Sequence, residues 1–278
     1  MKSSDRHGGS VSVPQRQRQP GFMEALARRA QMSGALLLRE AKTQSGRSRI
    51  GYLWALIEPL SHVAVMCVVY WAINRRAPVG PSVVLFFITG VLPFFLFHKV
   101  ALQVGGAVRG SQKVLRMPFV SPLDMIVARA VLAGLTWVVV ISILVVLLLA
   151  MEVMEPPVSP ETAVLAALLT FALGLGVGLV NATAMSLWSS WVHIYGVLTR
   201  PLYIFSGIFF SVDRIPSNLQ YWLSWNPVLH AVQWFRTGFR SDYSTPVLDR
   251  TYLISWVLAS LLLGLSMLRA ARPRLAYT

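Results

Sequence analysis

Few side chains in this sequence are typed and spaced for chemistry. Glu58 is the one carboxylate inside a long apolar run, and His62 follows four residues later, so the two share a helical face and could pair. An ionisable group at the centre of a bilayer costs about 2.5–3.5 kcal/mol on insertion scales and is often functional. Glu58 lies only about a turn and a half inside its run, where that cost falls. It reads either as a carboxylate snorkelling to the headgroups or as a polar element of a gate. His98, His193 and His230 are scattered over other segments, a pattern of hydrogen-bonded or interfacial helix residues rather than of a metal site. The single cysteine, Cys67, excludes an intrachain disulfide and a cysteine metal cluster. No GxxxxGK[ST], HExxH or GxSxG motif occurs, so we expect no catalytic residue, no metal ligand and no ATP hydrolysis by that loop chemistry in this chain.

Two other segments are suggestive. In GGAVRGSQKVLRMPFVSPLD (residues 105–124), Val114, Leu115, Met117 and Phe119 form a small apolar set flanked by Arg109, Lys113 and Arg116 and broken by Pro118 and Pro122. A short helix with an apolar tip and basic flanks can seat in a groove of a soluble partner; the plainer alternative is a connecting loop. Aromatic residues, among them Tyr203, Phe209, Phe210, Tyr221, Trp222, Trp225 and Trp234, gather in the last third of the chain. Tyr and Trp collect at membrane interfaces, so a lipid belt explains many of them. The other option is a lining on which apolar sugar faces stack while hydroxyls stay free.

The elements that must position these residues are helices in a membrane. The 278 residues are 55% hydrophobic and 13% charged, against about 25% charged in a soluble domain. Six runs read as spans, at about 53–73, 83–104, 125–150, 163–187, 194–212 and 252–268. Pro59 and Pro93 should kink or open the first two, and Gly174, Gly176 and Gly178 give the fourth a small-residue surface for close packing. Residues 1–21 are polar, basic and expected to be disordered. Residues 22–41 fit an amphipathic helix at the interface or, alternatively, a short solvated helix. The net charge of +14 is concentrated in the first fifty residues and in short segments beside the spans, with no RNA- or DNA-reading motif, so no nucleic-acid partner is expected.

Charge also sets topology. With the N-terminus cytoplasmic, the segment 105–124 and the C-terminal tail 271–278, including Arg272 and Arg274, fall on the same side, and the loop 151–162 carries no Lys or Arg but Glu152, Glu155 and Glu161 on the other. Arg75 and Arg76 run against that bias. Residues 213–240 are aromatic and semi-apolar but broken by Pro216, Asn226-Pro227 and Arg236, which suits two short helices joined near Asn226 and Pro227 that enter the membrane from outside and return. The expected fold is therefore an all-α integral membrane protein of six transmembrane helices, with an N-terminal interface helix and a re-entrant helical hairpin before the last span.

REAKTQSGRSRIGYLWALIEPL (residues 39–60), KVLRMPFVSPLD (113–124), FSGIFFSVDRIP (205–216) and WNPVLHAVQWFRTGF (225–239) follow one another in an order that resembles the membrane subunits of type-2 ABC exporters. The likeness covers roughly residues 22–270, and the GYLWALIEP form is most similar to the capsular polysaccharide branch. It implies a homodimer docked to two copies of a separate ATPase subunit, which would bind ATP and Mg. It implies a coupling helix over Lys113, Val114, Leu115, Arg116, Met117, Pro118 and Phe119, and an entrance or gate near Arg47, Arg49, Tyr52, Trp54 and Glu58. The implied cargo is a lipid-linked polysaccharide crossing a bacterial inner membrane, with both termini cytoplasmic and with periplasmic or outer-membrane export components as further partners. The extra N-terminal tail and Arg75-Arg76 depart from the pattern. The alternatives are a permease of this class for O-antigen or teichoic acid-like glycans or for a small hydrophobic drug or lipid. A stand-alone membrane enzyme or carrier is the other class; it would require a cluster of ionisable residues in the spans.

Overall fold

The computed structural model describes residues 34, 36–42, 51–80, 82–115, 120–241, 243 and 245–275. The expected tail 1–21, most of the expected interface helix, Arg47, Arg49, Arg116, Met117, Pro118 and Phe119 lie outside these residues; of Tyr52, Lys113 and Leu115 only the backbone is described. Among the described residues the fold is helical without strands. Residues 36–42 are helical. There follow α1 (Gly51–Ala72), α2 (Val83–Gly105), a 3-10 turn (Arg109–Ser111), α3 (Gln112–Leu115), α4 (Pro122–Ala150), α5 (Pro160–Leu187), α6 (Trp191–Ile204), a 3-10 turn (Val212–Arg214), α7 (Ser217–Leu223), α8 (Pro227–Thr237) and α9 (Arg250–Leu275).

The helix ends follow local chemistry. Ser82 and Asn226 accept hydrogen bonds from the first-turn amides of α2 and α8. Ser121 and Asp124 form a reciprocal capping box at the start of α4, with Pro122 in its first turn. At the far ends of α1 and α4, Asn74 (φ 50°) and Glu152 (φ 56°) take the left-handed conformation. There the amides of Arg75 and Val153 bond the carbonyls of Tyr70 and Leu148, so both helices stop in Schellman turns.

Five helices, α1, α2, α4, α5 and α9, are long and apolar enough to cross a membrane. α1 and α2 run through Pro59 and Pro93 without interruption. The run expected at 194–212 behaves differently: α6 has 14 residues, about 21 Å at 1.5 Å per residue, and the chain then leaves helical geometry at residues 205–211. The cause is tertiary. Gly207 adopts φ +71°, and the carbonyls of Gly207 and Ile208 accept hydrogen bonds from the Arg236 guanidinium at 2.7 and 3.3 Å, so they are turned away from any helical ladder.

α5 is the centre of the bundle. A Cβ on Gly178 would stand 2.7 Å from Cβ of Val104 on α2, while one on Gly176 would stand 2.9 Å from the backbone nitrogen of Leu261 on α9. The glycines expected to allow close packing thus serve two neighbours from two faces, which side chains at these positions would hold apart. Around them α2 supplies the densest core, with Phe87, Val91 and Val100 fully buried.

Candidate translocation and coupling surfaces

At the end of the bundle where α2 finishes and α4 begins, two elements separated in sequence are fastened together. Leu36 from the helical stretch 36–42 packs with Val114 of α3 and with Met125 and Ala128 of α4. Glu40, itself 4% exposed, forms an ion pair with Arg129 at 2.7 Å. The same guanidinium lies over the turn that precedes α3, where a Cβ on Gly110 would stand 2.8 Å from it. The end of the expected interface helix, the expected coupling segment and the first turns of α4 therefore form one packed unit. Val114 is buried inside this unit rather than standing on its surface.

Farther into the bundle, Glu58 on α1 meets Lys99 on α2. The ammonium sits 2.7 Å from one carboxylate oxygen and 2.6 Å from the other, with both side chains about one-quarter exposed. This corrects the expectation that Glu58 pairs with His62. His62 instead contacts the Tyr203 hydroxyl through Nδ1 at 3.2 Å, and its ring meets Phe95 edge-on at 5.0 Å. Lys99 satisfies the carboxylate across the helix pair, so the imidazole is free to turn to α6. His98 stacks between Phe94 and Tyr195. The result is a charged pair bordered by rings, reachable from outside the chain.

The other end is organised by Arg236 on α8, which is 3% exposed. Besides Gly207 and Ile208, its guanidinium donates to the Phe86 carbonyl at 3.2 Å and the Tyr243 hydroxyl at 3.1 Å. It also lies 4.0 Å over the Phe86 ring. Gly90 makes room for it, since a Cβ there would stand 2.6 Å from Nη2. Carbonyl dipoles and an aromatic face thus replace a counter-anion.

The helical chain breaks at Asn226 and Pro227, between α7 and α8. Asn226 caps α8 through its side-chain oxygen and donates from Nδ2 to the Phe205 carbonyl at 3.1 Å. The buried His230 accepts at Nδ1 from the Asp249 amide at 3.0 Å, so its Nε2 carries the proton and donates to the Ser224 carbonyl at 2.7 Å. One imidazole therefore joins the turn between α7 and α8 to the start of α9.

The expected pathway aromatics separate into three groups. Tyr203 packs on Phe209 and on the α2 rings of Phe94 and Phe95, and Phe210 is half-buried nearby. Tyr221, Trp222 and Trp225 stand exposed as a group on and just after α7, Trp222 at 72%. Trp234 is buried in the core beneath Arg250, so it is a packing residue rather than a surface ring. Trp54 is exposed on α1, one turn before Glu58. Lys99, Glu40, Arg129 and Arg236 are the functional candidates missed from sequence. Lys99 had a legible signal, a lysine within the apolar run 83–104; the others needed knowledge of which helices meet.

Helices of membrane-crossing length, polar groups spent on locking helix to helix, and the 36–42 helix clamped to a loop helix at one end together define a multi-span helical membrane protein. Residues 33–239 match the ABC-2 type transporter family, and the chain belongs to that family. It is 32% identical over 240 residues to the polysialic acid transport protein KpsM of Escherichia coli, covering 84% of this chain and 91% of that one. It is 29% identical over 248 residues to the capsule polysaccharide export inner-membrane protein CtrC of Neisseria meningitidis, covering 88% and 92%. To the capsule polysaccharide export inner-membrane protein BexB of Haemophilus influenzae it is 27% identical over 253 residues, covering 89% and 94%.

Proposed function

We propose that this chain is the permease subunit of an ATP-driven exporter that moves a lipid-linked capsular polysaccharide across a bacterial inner membrane. The observation that carries the proposal is likeness to capsule-export proteins along more than nine-tenths of their lengths. Two copies of the chain enclose the path, and two copies of a separate ATPase subunit supply ATP and Mg. Six crossings are counted by taking α6 with the turns after it as the fifth, and α7 and α8 as a re-entrant hairpin on the periplasmic side. Both termini then lie in the cytoplasm.

In this mechanism the ATPase seats the 113–119 segment and moves it. Because Val114 is packed on Leu36 and Arg129 holds Glu40, a displacement of that segment carries the 36–42 helix and the start of α4 with it. Packed units of this kind shift between discrete arrangements rather than deform smoothly. The Glu58–Lys99 pair and Trp54 border the inner mouth, the entrance to which the resemblance also assigns Arg47, Arg49 and Tyr52, and cations there suit a glycan or lipid phosphate. Tyr221, Trp222 and Trp225 offer ring faces at the exit. Periplasmic and outer-membrane components would receive the chain beyond them.

Affinity capture of the full-length chain from its native membranes tests the reading: a stoichiometric ATPase with a phosphate-binding loop should co-purify. Leu115→Asp with Met117→Asp should abolish transport-coupled ATP hydrolysis while the protein stays inserted. Capture without any ATPase, under conditions that preserve a known exporter complex, would overturn it.

A further inference from the structure

The first turns of α4 and the last turns of α9 enclose a half-open cavity of about 580 Å³ at the same end of the bundle as α3. Its walls are apolar: Leu123 comes from α4, and Leu265 and Leu268 from α9. Its rim is basic, formed by Arg269 and Arg272, one turn apart on α9. Neither arginine has an acidic partner among the described residues. The nearby carboxylate in sequence, Asp124, is occupied by the amide and hydroxyl of Ser121.

Beyond the cavity, α4 and α9 expose apolar side chains in register with its lining. On α9, Leu258, Leu262 and Leu265 recur at helical spacing below the arginines and are 56%, 66% and 45% exposed. On α4, Leu123, Val127 and Val131 do the same, at 41%, 50% and 39%. Each stripe starts at a residue that lines the cavity, Leu123 on α4 and Leu265 on α9, and runs from there away from the arginine end. A trough that is cationic for one turn and apolar for the next three has the polarity profile of a phospholipid.

We propose that this trough is a resident site for an anionic phospholipid, its phosphate held by Arg269 and Arg272 and its acyl chains lying along the α4 and α9 leucine and valine stripes. The charge selects an anionic headgroup, since a guanidinium pair binds phosphate bidentately and gains from each added negative charge. The apolar length below the arginines selects a lipid over free phosphate. The bound lipid bridges the helix that follows the coupling segment to the last helix of the chain, so it steadies the end of the bundle that α3 belongs to. The site lies on α4 and α9, apart from the Glu58–Lys99 pair and from α7, and it does not depend on the cargo.

The test uses the full-length chain in nanodiscs of phosphatidylcholine containing about one-fifth phosphatidylglycerol, with native mass spectrometry of the lipids retained on release. The wild-type chain should keep phosphatidylglycerol preferentially. Arg269→Gln with Arg272→Gln should weaken that preference about tenfold or more. Leu265→Trp keeps both charges but fills the trough, and it should lose the lipid as well. Undiminished retention in either variant overturns the site, the second by showing that surface charge alone suffices. Full displacement by millimolar inorganic phosphate also overturns it, because the site would then be for the anion and not the lipid. Equal retention of both lipids by the wild-type chain does the same.

Discussion

α1 and α2 are neighbours of nearly equal length, 22 and 23 residues, and both are apolar. Yet in the most apolar stretch of α2 78% of the residues are buried within the chain, and in that of α1 only 11%. α2 is enclosed by α1, α4, α5 and α8 and accepts the Arg236 guanidinium on its backbone. α1 turns Val68 and Trp71 outward at 62% and 83% exposure and packs on one side only, where Val63 is buried in the core and Glu58, His62 and Tyr70 reach Lys99, Tyr203 and the Phe209 carbonyl. Hydropathy therefore says that a helix enters the membrane but not what it faces there. A helix surrounded by its own chain is fixed on every face by packing, whereas one packed on a single side keeps a free face for lipid or for a second subunit.

The contrast can be broken most forcefully at Arg236. Arg236→Met should destabilise the fold by about 3–5 kcal/mol, because the Gly207 and Ile208 carbonyls lose their donor, and thermal unfolding in detergent should show it together with a fall in monodisperse yield. Next, Gly178→Leu should drive α5 away from Val104 and cost about 1–3 kcal/mol by the same assay. Lys99→Met leaves Glu58 unpaired and should cost about 1–2 kcal/mol, the value being reduced because the pair is partly exposed. Adding Glu58→Gln should recover most of that loss, and a double variant as unstable as the sum of the singles would show that the two charges are not coupled. Smallest of all, Val68→Ala on the free face of α1 should change stability by less than about 0.5 kcal/mol. Trp71→Cys in a Cys67→Ala background sharpens the same point: it should form a disulfide-linked dimer on mild oxidation of membranes if α1 meets its own copy, and none if that face meets only lipid.

The candidate site was legible to different depths for physical reasons. The Asn226-Pro227 break could be read because a cap residue followed by a proline at the first helical position is a local signal, and α7 and α8 do meet there. The end of the fifth run could not, because residues 205–212 are apolar enough to continue a helix and it is Arg236, some thirty positions later, that captures their carbonyls. Glu58 was legible as a charge that needs a partner, but its partner was misassigned: spacing along one helix points to His62, while the partner actually reached lies across the helix pair. Trp234 was grouped with the outer aromatics by composition alone, and the tertiary structure buries it.

By itself the sequence determined the membrane environment, the helical class, most of the span positions and the caps that start and stop them, because these depend on chain-local properties: the length of apolar runs, the hydrogen-bonding needs of helix ends and the distribution of basic residues. The resemblance of its motifs also pointed to the family that the comparisons confirm. Only the tertiary structure decided which span is core and which is free, which acid meets which base, and where a short helix yields to turns around a buried guanidinium. Those outcomes depend on groups far apart in the chain competing for the same carbonyl, ring or charge, and no local pattern of residues encodes the winner.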